Sequence, residues 1–162
     1  MTTQDYNRCV DAHADGVYRF ILHNTRDKEF SEDIVQDAFE KMWVNVENIQ
    51  AEKAKSYLFT TAYHTMLDKL RRAKKQGNWN EVREESISHH QGHYSGIKQI
   101  LREALDKLPE IQRTVVMLRD YEGYSYEEIG EITALNPSQV KVYIYRARLA
   151  LKEHIGKPEN VI

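Results

Sequence analysis

The sequence predicts an all-α protein: two small helical domains joined by a flexible linker, the second containing a helix-turn-helix. Two observations predict the helices. Prolines occur only at positions 109, 137 and 158, and apolar residues recur at spacings of three and four through most of the 162 residues. A third observation predicts the division into domains, because residues 77–96 lack this periodicity.

Three long helices are predicted in the N-terminal half. The first covers about 5–24, and the second begins with Ser31 as its N-cap, followed by acidic residues in the first turn. The second helix carries a continuous apolar stripe with acids beside it, which is typical of an amphipathic helix. The third covers about 55–75 and ends in a basic stretch.

The segment 77–96 is predicted to be the flexible linker, because it is rich in glycine, serine, histidine and scattered acids. The predicted domains are therefore 1–76 and 97–162. His89, His90 and His93 lie in this linker without a set of cysteines or carboxylates at firm spacing. Because a zinc site needs four well-placed ligands, or three and a water, we predict no metal site.

The distribution of charge, the cysteine count and the lack of apolar runs limit the classes of function that fit this sequence. The formal net charge is only −2, yet acids concentrate before residue 41 and bases around residues 69–75 and 141–152. Cys9 is the only cysteine, so no internal disulfide is predicted. No apolar run approaches the roughly 20 residues of a membrane span, and no secretion signal precedes the first helix, so we expect a cytoplasmic protein without membrane insertion. Because no nucleotide or catalytic motif is found, we expect neither a cofactor nor an enzymatic activity.

Two adjacent helix starts carry the strongest local signal. Ser125 and Glu128 form a capping box, and Asn136, Pro137 and Gln139 combine an N-cap, a first-turn proline and a polar third position. A small residue, Gly130, lies where two helices of a helix-turn-helix approach closely.

The second helix of this motif is predicted to bind DNA. No acid occurs between 137 and 152, and Val140 and Ile144 take the inner face. A polar, basic outer face is what the major groove of DNA requires. The predicted DNA-contacting residues are Ser138, Gln139, Lys141, Val142, Tyr145, Arg146 and Arg148.

At this point the sequence resembles a known family. Ala104–Glu110, Glu122–Ile129 and Val140–Lys152 resemble the C-terminal domain of extracytoplasmic-function (ECF) sigma factors, which binds the minus-thirty-five promoter element. Glu32–Phe39 with Trp43 is similar to the helix that grips the polymerase clamp helices in that family. Ser56–Ala62 and the following residues to Arg72 are similar to the helix that melts and reads the minus-ten element.

The resemblance implies partners and site residues. The partners are core RNA polymerase, contacted at its clamp helices and flap, promoter DNA, and an anti-sigma factor. The implied polymerase-binding residues are Asp33, Gln36, Asp37, Glu40 and Trp43. The implied minus-ten residues are Tyr57, Phe59, Thr60, Tyr63, His64, Lys69, Arg71 and Arg72, of which Phe59 and Tyr63 have an alternative interpretation as core residues.

Several residues depart from the family pattern. Tyr63 and His64 replace a common Arg-Asn pair. On the second helix of the motif, Val142 and Tyr143 lie where serine and arginine are often found, and Tyr145 where histidine is. In the turn, Thr133 and Ala134 replace a usual leucine and the usual glycine. The promoter sequence is therefore not predicted. The main alternative is a stand-alone helix-turn-helix regulator that dimerises on a palindrome. A second alternative is a metal-dependent enzyme that uses the histidines.

Overall fold

The computed structural model describes residues 1–76 and 96–156, which contain helices and no strand. These residues fall into two compact units, one within each described range. The predicted all-α class is confirmed. Most of the predicted linker lies outside the described residues, and its last residue, Gly96, begins a helix.

Three long helices form the first unit: α1 (Thr3–Thr25), α2 (Lys28–Val44) and α3 (Ala54–Gln76). Two short 3-10 turns, Val46–Asn48 and Ala51–Lys53, connect α2 to α3. Each long helix packs against the other two. The largest side chains of their shared core are those of Phe20, Ile21, Ile34, Met42, Leu58, Phe59 and Met66.

Helix α2 begins one turn before the predicted start. Its N-cap is Asp27, whose carboxylate accepts a hydrogen bond from the Phe30 backbone N–H at 3.1 Å. Ser31, the predicted N-cap, lies inside the helix and is fully buried. Its hydroxyl is 2.5 Å from that of Thr25 at the end of α1. The prediction of Ser31 as N-cap is therefore wrong, because its side chain joins two helices instead.

The described residues of the second unit, 96–156, form four α-helices: α4 (Gly96–Lys107), α5 (Glu110–Val116), α6 (Tyr126–Thr133) and α7 (Pro137–Ile155). A π-helical turn, Met117–Tyr121, extends α5. Helix α7 packs against α4, α5 and α6, so it is the central element of the unit. Its inner face contributes Val140, Ile144 and Ala147 to the core.

Both predicted caps of the helix-turn-helix are confirmed. The Ser125 hydroxyl accepts from the Glu128 N–H at 3.1 Å, and the Glu128 carboxylate accepts from the Ser125 N–H at 3.0 Å. Asn136 and Gln139 make the same reciprocal pair at 2.8 and 3.0 Å. The starts of α6 and α7 are thus set by local hydrogen bonds that satisfy otherwise unpaired N–H groups.

The predicted close approach at Gly130 is also confirmed. A Cβ atom at this position would lie 2.6 Å from the backbone oxygen of Leu135. The carbonyl cannot move freely, since it belongs to the turn between α6 and α7. Only glycine therefore allows the turn to fold back on α6 at this distance.

Ala134 ends α6 in the left-handed conformation, with φ 61° and ψ 34°. Glycine is the usual residue at this helix-terminal position, because a Cβ atom strains the left-handed backbone. Here the Ala134 N–H still donates to the Gly130 carbonyl and completes the helix end. The turn therefore keeps its geometry, but the strained backbone at Ala134 lowers the stability of the folded state.

Substitution of Gly130 by alanine should destabilise the second unit by about 1–3 kcal/mol, because the added methyl group overpacks the turn. Urea unfolding followed by circular dichroism measures the change. Gly96→Ala is the matched control, since a Cβ atom at position 96 meets nothing within 4 Å. Equal stability of the two variants would contradict the steric account.

The substitution Ala134→Gly should stabilise the second unit, in contrast to Gly130→Ala. Relief of the left-handed strain should exceed the added chain entropy and raise the free energy of unfolding by up to about 1 kcal/mol. The same unfolding measurement tests it. A loss of stability would show that the alanine side chain contributes packing that outweighs its strain.

Candidate functional site

The outer face of α7 is the most continuous candidate surface. All seven residues predicted to contact DNA from this helix are exposed, opposite the buried Val140, Ile144 and Ala147. The Asn136–Gln139 capping box fixes where the helix begins and therefore which residues lie in its first two turns. The first turns of such a helix are the part that reaches base edges.

A groove of about 270 Å³ runs along one side of this outer face. It includes the predicted residues Ser138, Gln139, Val142 and Arg146. It also includes two residues that the sequence analysis did not assign to DNA, Asn136 and Tyr143. Asn136 and Tyr143 lie three residues before and four residues after Gln139, so the spacing of three and four from a predicted contact residue is the signal that could have found them.

The cations of α7 differ in their surroundings. Arg148 donates two hydrogen bonds to the Asp120 carboxylate, at 2.5 and 3.2 Å, and this contact raises the pKa of the guanidinium above its ordinary value. Lys141 and Arg146 have no ion-pair partner among the described residues. Arg146 and Lys141 are therefore the more available charges for phosphate contacts.

The acidic face of α2 forms a second candidate surface. Asp33, Gln36 and Glu40 are exposed and follow one another at spacings of three and four. Trp43 continues the line and is half-exposed, with its ring held edge-on by Tyr6 of α1 at a centroid distance of 5.0 Å. The Tyr6 hydroxyl donates to the Phe39 carbonyl at 3.1 Å, which ties this end of α2 to α1.

Lys69 of α3 forms ion pairs with carboxylates of the acidic face of α2. Its ammonium group donates to the Asp33 carboxylate and lies 2.7 Å from the Asp37 carboxylate. Burial alone would lower the pKa of Lys69, but the two carboxylates outweigh it and raise the pKa above its ordinary value. A residue predicted to bind DNA is thus bound to two residues predicted to bind polymerase.

Helix α3 exposes only part of the predicted minus-ten set. Tyr57, Thr60, His64 and Arg71 share one face, with Tyr57 and Thr60 half-buried and His64 and Arg71 exposed. Arg72 is exposed beside them. Arg71 also donates to the Asp68 carboxylate at 2.6 Å.

Phe59 and Tyr63 lie on the opposite face of α3. Their side chains are 0% and 4% exposed, and both rings contact Phe20 of α1. This burial favours the alternative interpretation of Phe59 and Tyr63 as core residues, because neither ring is exposed in the described structure. The spacing of three and four from Phe59 through Ala62 to Met66 is the sequence signal that assigns this face to the core.

The loop before α3 is held by polar contacts. The Asn45 amide donates to the Tyr57 hydroxyl at 3.0 Å and to the Lys41 carbonyl at 3.3 Å. Ile49 is buried at the centre of the loop. The loop therefore has a defined position beside the exposed face of α3.

Metal and membrane sites are not found in the described ranges. Nowhere in 1–76 or 96–156 do three or more His, Cys, Asp or Glu side chains gather as a metal would require. The linker histidines His89, His90 and His93 lie outside these ranges. Within the same ranges, every helix is too short or too polar to span a bilayer.

A helix-turn-helix whose second helix carries no acid from Pro137 to Lys152 is typical of a DNA-binding protein. Family comparison identifies its class further. Residues 9–76 match the family model described as Sigma-70 region 2, and residues 98–151 match Sigma-70, region 4. The two matches therefore cover both units in the order expected of a sigma factor.

Curated relatives agree over nearly the full length. RNA polymerase sigma factor SigV of Bacillus subtilis is 31% identical over 153 residues, which are 93% of this chain and 91% of that protein. ECF RNA polymerase sigma factor SigM of the same organism is 27% identical, with 89% and 91% covered. ECF RNA polymerase sigma factor SigE of Mycolicibacterium smegmatis is 30% identical, with 94% and 62% covered. The chain belongs to the ECF family of RNA polymerase sigma factors and is a promoter-specific transcription initiation factor.

Solved structures show the same fold. Sigma factor RpoE of Bartonella quintana, solved in complex with the anti-sigma factor NepR, aligns with a TM-score of 0.81 at 24% identity and covers 96% of this chain and 99% of that one. CnrH, solved with the cytosolic domain of CnrY, aligns with a TM-score of 0.66 at 20% identity and covers 94% and 88%.

The buried position of Phe59 predicts a large loss of stability when its side chain is truncated. Phe59→Ala should lower the free energy of unfolding by about 3–5 kcal/mol, because it leaves a cavity among three packed helices. His64→Ala, on the exposed face of the same helix, should change it by less than about 0.5 kcal/mol. Urea unfolding compares the stabilities of the two variants. A small effect of Phe59→Ala would contradict the assignment of Phe59 to the core.

Proposed function

We propose that the two units divide promoter recognition between them. The first unit, 1–76, binds core polymerase and the minus-ten element, and the second, 97–162, binds the minus-thirty-five element. Residues 77–96 connect them. Family membership supports this division, because each unit matches a different conserved sigma region.

The outer face of α7 is the observation that carries the proposal. Its polar and basic residues project from a helix whose opposite face is locked into the core, and no carboxylate occurs between Pro137 and Lys152. Gln139 and Lys141, in the first two turns, suit base edges in the major groove. Arg146 suits a backbone phosphate, and Arg148 would do so only by leaving Asp120.

The acidic face of α2 suits the clamp helices of core polymerase. Asp33, Gln36, Asp37 and Glu40 supply acceptors for basic partners, and Trp43 supplies a half-exposed aromatic anchor, a residue type enriched in interface hot spots. Lys69 orients two of the carboxylates rather than contacting DNA. We place the polymerase flap against the second unit, by analogy with the family.

The exposed face of α3 suits the minus-ten strand. Tyr57, Thr60 and His64 offer polar and ring surfaces, and Arg71 and Arg72 supply cations for the backbone. We assign the capture of an unpaired base to the loop between α2 and α3, which the Asn45–Tyr57 hydrogen bond holds beside this face.

Two solved complexes of similar proteins support a proposal about regulation. RpoE was solved with an anti-sigma factor and CnrH with the cytosolic domain of CnrY. We propose that an anti-sigma factor likewise holds this protein inactive. We also propose that this sigma factor acts in the cytoplasm and catalyses no reaction itself. The alternative of a stand-alone helix-turn-helix regulator is not favoured, because it leaves the sigma region 2 match of residues 9–76 without a role.

Reconstitution with core polymerase tests the proposal. The purified chain is added to core enzyme, and run-off transcription is measured across a pool of genomic fragments. We expect initiation from a small set of fragments that share two spaced elements. The absence of any initiation dependent on this chain, or tight binding of the chain alone to a palindrome as a dimer, would contradict the proposal.

Two charge variants test the division of labour. Arg146→Ala should weaken promoter use and reduce the salt-dependence slope of DNA binding by about 0.9, while polymerase association stays unchanged. Glu40→Lys should weaken polymerase association about tenfold through charge repulsion. Asp11→Lys, an exposed charge reversal on α1, is the control for Glu40→Lys. Loss of polymerase association in Arg146→Ala would overturn the assignment of the two surfaces.

A further inference from the structure

After Ser138, the outermost line of α7 carries apolar and aromatic residues, which polar DNA contacts do not explain. Val142, Tyr145 and Leu149 follow at spacings of three and four and are 45%, 68% and 46% exposed. Basic residues lie on both sides of this line, with Lys141 and Arg148 on one side and Arg146 on the other. The basic residues on the two sides suit contacts with the DNA backbone. The apolar residues between them would face the floor of the groove in which the helix lies.

Val142 is the apolar member of this line that lies nearest to the start of α7, where a recognition helix reaches base edges. It is in the second turn of α7, the part of a recognition helix that enters the groove. Leu149 is seven residues further on, which is about 10 Å along the helix axis. Val142 also lines the groove that contains Gln139 and Arg146, so hydrogen-bonding side chains surround it.

The chemistry of the major groove identifies the partner of such a side chain. Base edges there present hydrogen-bond donors and acceptors, and the one apolar group is the C5-methyl of thymine. A valine pressed on any other edge would leave a polar group without its hydrogen bond, which costs free energy. Against a thymine methyl, the same valine removes apolar surface from water.

We propose that Val142 is a specificity-determining residue that packs against the C5-methyl of one thymine in the minus-thirty-five element. This inference rests on the proposed function of α7 as the minus-thirty-five reader. It adds a definite base to a promoter that the family resemblance leaves unspecified. The Gln139 amide, one turn earlier in the same groove, is placed to hydrogen-bond the neighbouring base.

Deoxyuridine substitution removes the methyl group and nothing else. On a promoter selected by the run-off experiment, each thymine of the upstream element is replaced in turn by deoxyuridine, and initiation by the reconstituted holoenzyme is measured. One position should lose roughly threefold to fivefold in initiation, the effect of one buried methyl-sized group. Other thymines should change little.

Variants of the helix show whether Val142 causes that loss. With Val142→Ser, thymine and deoxyuridine at the sensitive position should become equivalent, because the serine hydroxyl gains nothing from the methyl group. Leu149→Ala removes an equally exposed apolar side chain from the same helix and should leave the difference intact. Circular dichroism confirms that both variants fold.

The outcomes separate this inference from the proposal beneath it. Active initiation without a deoxyuridine-sensitive position overturns the inference alone. A sensitivity that persists in Val142→Ser also overturns it, since the effect would then come from DNA shape. Loss of the sensitivity in Leu149→Ala would overturn it too, since the methyl effect would then not depend on Val142 in particular. Absence of initiation from every fragment removes both the inference and the proposed function.

Discussion

Burial of one face of each long helix is the constraint on which the rest of the molecule depends. Val140, Ile144 and Ala147 lock α7 into the second unit, and Phe59, Ala62 and Met66 lock α3 into the first. A shift of one residue would rotate either helix by about 100° and bring charged side chains into the core. The packed faces therefore determine which side chains are exposed to a partner and where those side chains lie.

Electrostatic contacts inside the protein limit how much charge those surfaces present. Lys69 is bound to Asp33 and Asp37, and Arg148 is bound to Asp120. Because the pairs are partly exposed, each contributes only about 0–1 kcal/mol to stability. They are weak enough to be exchanged for contacts with a large partner. In the free protein the Arg148–Asp120 pair leaves only a modest positive surface on α7.

The turn between α6 and α7 shows how backbone geometry supports the recognition helix. Gly130 lets the Leu135 carbonyl approach, and Ala134 accepts a left-handed backbone that glycine would adopt without strain. Two capping boxes then start α6 and α7 at defined residues. The outer face of α7 is consequently presented in one register, although the family's usual glycine is absent from the turn.

Local sequence determined the helical class, the two units, both helix-turn-helix caps and the exposed face of α7, because caps and periodicity act within one or two turns of the chain. The tertiary structure decided the rest. Aspartate and serine both occur often as N-caps, and only the tertiary contact of Ser31 with Thr25 of α1 shows that Asp27 caps α2. Phe59 and Tyr63 became core residues because Phe20 packs on them. Lys69 and Arg148 meet carboxylates 36 and 28 residues away in the chain, and side chains so distant in sequence are brought together only by the packing of whole helices.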